Sequence, residues 1–174
     1  MDALSITDYF SIFSDSAVIM GVLWGFHTWR KSMSIKRAEY VQSLREKFYG
    51  DKDIAEVMYK IEYNKSWYDG SFHGGSEIER KVDKLLSVCD HICYLYDNKL
   101  ISDKEYEIFN YDLNRILNNK DVKAYLYNLH HWSTKTLDLK SSFNRLIQFG
   151  IRHHYFEDAF FDLSNSNYPH RLNF

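Results

Sequence analysis

The chain has 174 residues, a net charge of −2, an aromatic content of 17% and a single proline, Pro169, so few breakers that long helices are expected. The first 29 residues carry Asp2, Asp8 and Asp15 and no Lys or Arg, and the remainder balances at 22 basic against 21 acidic side chains. The basic excess on which nucleic-acid binding relies is missing, so no direct nucleic acid binding is expected.

Residues 1–8 form a short N-terminus without positive charge, and no small-x-small cleavage site follows, so no removable signal peptide is expected. Tyr9 to Trp29 is an apolar segment which, at the helical rise, reaches roughly 31 Å, enough for one transmembrane helix. Trp24, His27 and Trp29 would sit at one headgroup layer and Tyr9, Phe10 and Phe13 at the other. Asp15 is the intramembrane polar residue of this reading, about 9 Å from one end, where its insertion cost is reduced. The alternative is a 14-residue buried helix, Ala17 to Arg30, capped by Ser14-Asp15-Ser16. Ala17, Gly21 and Gly25 recur every four residues, the small-xxx-small spacing through which packed membrane helices approach, and predict a homo-oligomer.

Residues 30–50 follow as a basic juxtamembrane helix. Arg30, Lys31, Lys36 and Arg37 are placed to meet lipid headgroups, and by the positive-inside rule the N-terminus lies outside and the main body in the cytoplasm. Ala38, Val41, Leu44 and Phe48 share one stripe. Gly50 breaks the pattern, and Asp51 or Asp53 caps a helix with Ile54, Val57, Met58 and Ile61 on its apolar side, running to about Trp67. The glycine-rich stretch Asp69 to Gly75 lacks the ending of a phosphate-binding loop and reads as a linker.

Ser76 with Glu79 makes a capping box for the most regular apolar stripe, Ile78, Val82, Leu85, Leu86, Cys89, Cys93 and Tyr96. In that helix His91 points roughly 160° away from the mean direction of Cys89 and Cys93, so the three do not converge on a metal, and the thiols fit a reducing cytosol. Ser102 with Glu105 makes a second box for a helix bearing Ile108, Phe109, Leu113, Ile116 and Leu117; Asp121 is expected to cap the next, with Val122, Tyr125, Leu126 and Leu129; a last piece holds Phe143, Leu146, Ile147 and Ile151. The expected fold is all-α, one N-terminal transmembrane helix followed by a cytosolic bundle of about five helices at 51–154, with an aromatic tail at 155–174 that packs back or meets a partner.

His130, His131, His153 and His154, with Arg145 and Arg152, form a candidate anion or nucleotide pocket, against the alternative of exposed histidines near helix C-termini. No nucleophile-and-base constellation appears, and no enzyme activity and no cofactor are expected.

The apolar segment with its basic exit, Arg37-Ala38-Glu39-Tyr40, Asp83-Lys84-Leu85-Leu86, Asn98-Lys99-Leu100-Ile101-Ser102 and Tyr125-Leu126-Tyr127-Asn128-Leu129 together resemble small bacterial membrane-anchored helical proteins of an uncharacterised domain family found among prophage and antiphage-defence genes. The resemblance implies a location in the bacterial inner membrane and a role as a membrane-bound effector or accessory of phage defence. It supplies no catalytic residues. The functional expectation is a non-enzymatic effector whose cytosolic part senses a partner or ligand while the self-associating span perturbs the membrane. The alternatives are a membrane-tethered scaffold that recruits a soluble protein through the aromatic tail and, more remotely, a nucleotide-binding sensor.

Overall fold

The computed structural model describes residues 6–69, 74–162 and 164, the side chains of 6–16, 135 and 136 lying outside that description. Every regular element among the described residues is helical. These are α1 (Ile6–Gly50), α2 (Lys52–Glu62), α3 (Glu77–Asp97), α4 (Asp103–Asn118), α5 (Lys120–Thr136), α6 (Asn144–Arg152) and a 3-10 helix, Asp158–Phe161. The all-α expectation holds. The chain divides into two compact units between Ser43 and Leu44.

In the first unit α1 is helical from Ile6 onward, so Ser14-Asp15-Ser16 lies inside a helix and starts none. The alternative of a buried Ala17–Arg30 helix fails as well, because residues 17–30 are exposed throughout. Val18, Ile19, Met20, Val22, Leu23, Trp24, Phe26 and Trp29 are 55–75% exposed, and at about 100° per residue these positions cover roughly two thirds of the helix circumference, the remaining face being that of Ala17, Gly21, Gly25 and Thr28. Among the described residues no helix is long and apolar enough to cross a membrane.

The second unit is built around α3. Val82, Leu85, Leu86, Cys89, Ile92 and Cys93 have no exposed surface, and α2, α4 and α6 all pack against this helix. Removing one such side chain from water contributes about 1.5–3 kcal/mol, which is why the regular stripe, more than helix propensity, decides where α3 sits. The helix starts follow local chemistry. The Asp51 carboxylate accepts the amides of Asp53 (2.9 Å) and Ile54 (3.3 Å). The Ser76 hydroxyl accepts the Glu79 amide at 3.2 Å while the Glu79 carboxylate accepts the Ser76 amide at 3.0 Å. The Glu105 carboxylate takes both the amide (2.7 Å) and the hydroxyl (2.6 Å) of Ser102.

Three expectations change. α2 stops at Glu62, short of Trp67, because Asn64 turns left-handed (φ 49°) and the Lys65 amide closes back on the Lys60 carbonyl at 2.8 Å. Asp121 does not cap α5; the Asn119 side chain does, accepting the amides of Asp121 and Val122. Ile108, expected in the core, is 40% exposed on the outer side of α4. In the C-terminal segment Phe156 and Phe161 are buried against each other, so this part of the aromatic tail packs back; residues 163 and 165–174 lie outside the described ones.

Candidate functional site

Phe48 and Tyr49 end α1 with opposite fates. Phe48 is buried edge-on against Phe109, while Tyr49 stays half exposed and its hydroxyl donates to Asp112 Oδ2 at 2.5 Å and to the Ile108 carbonyl at 3.3 Å. In α2, Ile54, Val57 and Ile61 turn inward, and helical periodicity then sends Ala55, Tyr59, Glu62 and, just past the helix, Tyr63 to the other side. Together with Met58 and Asp112 these residues line a groove of about 350 Å³. Tyr59 and Tyr63, four residues apart, have ring centroids 4.5 Å apart at 45°.

The groove's lining holds two carboxylates, Glu62 and Asp112, and no Lys, Arg or His. Arg115 neutralises Glu62, with one nitrogen 3.0 Å from the carboxylate and 2.8 Å from the Glu62 carbonyl. Asp112 has no described cation within salt-bridge distance; its hydrogen-bond partner is Tyr49. Burial, with the Asp112 hydrogen bond second, pushes the Tyr49 hydroxyl up to about 12, so at neutral pH it stays a donor. Two of the rings already carry cations of the chain itself: the Lys65 ammonium lies 4.7 Å from the Tyr59 centroid and the Arg45 guanidinium 5.9 Å from that of Tyr49. What these groups offer chemically is aromatic faces, a hydroxyl donor and a carboxylate.

The residues singled out in the sequence lie elsewhere. Gly21 and Gly25 have open space where a side chain would stand, and Ala17 is exposed beside them on α1. Arg30, Lys31, Lys36 and Arg37 are exposed along the same helix. Asp15 lies on α1, but its side chain is outside the described residues.

Of the six residues of the expected anion pocket, His130 and His131 touch each other, with ring centroids 5.6 Å apart, while the two arginines and His153 lie in other contacts. Arg145 stacks on Tyr94 at 4.5 Å and lies 3.9 Å from Asp90, and Arg152 pairs with Asp97, so both arginines of α6 are spent on α3. The Asp90 carboxylate also accepts the Leu146 amide at 2.8 Å, and burial raises its pKa despite that bond. His130 packs edge-on against Phe161, and burial lowers its pKa. His131, 2% exposed, lies on Tyr127 with centroids 4.0 Å apart. His153 stacks on Phe149 at 4.1 Å, whereas His154 lines a second cavity of about 290 Å³ with Lys123, Tyr155, Phe156, Glu157 and Phe160.

None of the groove's tyrosines was singled out by apolar periodicity. The available signal is the pair Tyr59 and Tyr63 at i, i+4, on the face opposite Ile54, Val57 and Ile61. Compared with protein-family models, curated proteins and solved structures, the chain matches none of them.

Proposed function

We propose that the chain is a membrane-anchored, non-enzymatic effector or accessory protein, of phage defence as the sequence resemblance implies. In this reading the apolar half of α1 enters the inner membrane with its N-terminus outside, associates with its copies through Ala17, Gly21 and Gly25, and the second unit senses a ligand or partner at the cytoplasmic surface.

The observation that carries the reading is the exposure of eight large apolar side chains between Val18 and Trp29, over about two thirds of the helix circumference, followed directly by Arg30 and Lys31. Each would contribute about 1.5–3 kcal/mol on leaving water, and an apolar surface of that extent calls for lipid or protein around it. The basic residues that follow match an anionic cytoplasmic leaflet, worth about 1 kcal/mol each near its surface.

The test is membrane retention of the full-length protein under carbonate washing, followed by flotation of the purified protein with vesicles. The wild type should stay with lipid, and Leu23→Arg should weaken or abolish retention. Release of the wild-type chain as a monomer would refute the anchor. A potential-sensitive dye in expressing cells tests the effector step: depolarisation should occur and be lost in Gly21→Leu with Gly25→Leu, at positions where an added Cβ meets nothing within 4 Å. Cells that never depolarise would refute that step.

A further inference from the structure

We propose that the groove between the last turn of α1 and the outer side of α2 binds a small organic cation, an alkylammonium or quaternary ammonium ion, seated on tyrosine rings with Asp112 as its counter-ion. The proposal names the ligand class for the ligand-sensing part of the reading above and rests on that part, not on the membrane anchor.

Charge decides the sign of the ligand. The lining itself holds two carboxylates and no basic group, and although Arg115, Lys65 and Arg45 stand around it, the charge inside the groove is that of Asp112. Glu62 is matched by Arg115 at 3.0 Å, whereas Asp112 is half-buried with the Tyr49 hydroxyl as its hydrogen-bond partner and no described cation beside it. An ionised carboxylate in that setting gains from a cation that can reach it.

Ring chemistry decides the kind of cation. The faces of tyrosines attract ammonium and guanidinium groups, and here Lys65 over Tyr59 and Arg45 near Tyr49 show two of these rings already drawing positive charge from the chain itself. A weakly hydrated organic cation gains more from such faces than a small, strongly hydrated metal ion, which takes oxygen ligands instead. Volume decides the size: about 350 Å³ is at the small end of ligand sites, enough for an ammonium head with a short chain. The apolar contribution comes from Met58 and Phe48.

The experiment uses the full-length protein in a non-ionic detergent and two probes of nearly equal shape: choline, and its neutral carbon isostere 3,3-dimethylbutan-1-ol. Calorimetric titration should give choline an affinity at least about tenfold above the isostere. Asp112→Asn keeps an acceptor for the Tyr49 hydroxyl and removes the charge; Tyr59→Leu removes a ring that is 53% exposed. Each should weaken choline about tenfold and leave the isostere unchanged, with thermal melts showing that both variants fold. Equal affinity for the two probes, choline binding untouched by both substitutions, or no choline binding at millimolar concentration overturns the proposal. A protein that binds choline but is washed off membranes leaves this site standing and removes only the anchor. A protein that stays in membranes and ignores choline removes only the site.

Discussion

Gly150, in the second turn of α6, is a place where one methyl group should be felt. A Cβ built there would lie 2.3 and 2.4 Å from two carbons of the Phe156 ring and 3.2 Å from a third. Carbon contacts settle near 3.5 Å, so the ring would have to retreat by roughly 1 Å. It has little room to do so. Phe156 is 5% exposed, lies edge-on against Phe161 at 5.4 Å, and its own amide is held by the Gly150 carbonyl at 3.1 Å. Over-packing costs about 1–3 kcal/mol, an overlap above about 1 Å puts this case at about 2–3 kcal/mol, and the better helix propensity of alanine offsets about 1 kcal/mol. Gly150→Ala should therefore destabilise by about 1–2 kcal/mol. In a unit of roughly 130 residues that lowers the melting temperature by about 4–7 °C. The assay is thermal unfolding followed by far-ultraviolet dichroism, repeated in a Phe156→Ala background. Phe156→Ala alone costs about 3–5 kcal/mol, but once the ring is gone Gly150→Ala should become stabilising by about 1 kcal/mol. If Gly150→Ala has the same effect with and without the ring, the close approach of Phe156 to Gly150 is not what limits that position.

Asp121 Oδ2 accepts the Trp67 amide at 2.8 Å and the Ser66 hydroxyl at 3.2 Å, so Asp121→Ala should cost about 2–4 kcal/mol and Asp121→Asn clearly less, read as midpoints of urea unfolding; equal losses would show that only charge matters there. His130 has a folded-state pKa lowered by burial, with the Phe161 backbone partly opposing it. Its contribution to stability is complete above the unfolded value of about 6.5 and is lost as pH falls through the lower folded value, so between about pH 7.5 and 5.5 the wild type should lose more stability than His130→Gln. Parallel pH profiles for the two proteins would contradict this. Cys89 and Cys93 are fully buried and burial drives both thiols upward, so a thiol reagent at about pH 8 should label neither in the folded protein and both in denaturant. Fast labelling of either cysteine in the folded protein would contradict their placement.

Helix starts are legible in the sequence because cap chemistry is local. Ser76 needs only Glu79 and Ser102 only Glu105, three residues on. The stripe of α3 is legible for a similar reason, since burial of Val82, Leu85, Leu86 and Cys89 follows the helical period. Asp121 shows where this stops. Read locally it looks like a cap, but the amides it holds lie more than fifty residues earlier in the chain. The groove is illegible on the same ground: stripes tell which side of α2 turns inward, not that its outer tyrosines will meet Tyr49 and Asp112 from two other helices. The histidine pairs are legible only in part. Neighbours in sequence point about 100° apart on a helix, so His130 packs on Phe161 and His131 on Tyr127, although their own rings lie 5.6 Å apart.

α6 is nine residues long, below the length at which an isolated helix holds together in water. The side chain of its N-cap residue, Phe143, offers no oxygen, and the Leu146 amide is taken instead by Asp90 of α3, fifty-six positions away in the chain. The segment thus borrows its beginning from a partner that must already be helical. In a hydrogen-exchange experiment its amides should be among the last to acquire protection during refolding and among the first to lose it, with α3 outlasting them on both counts.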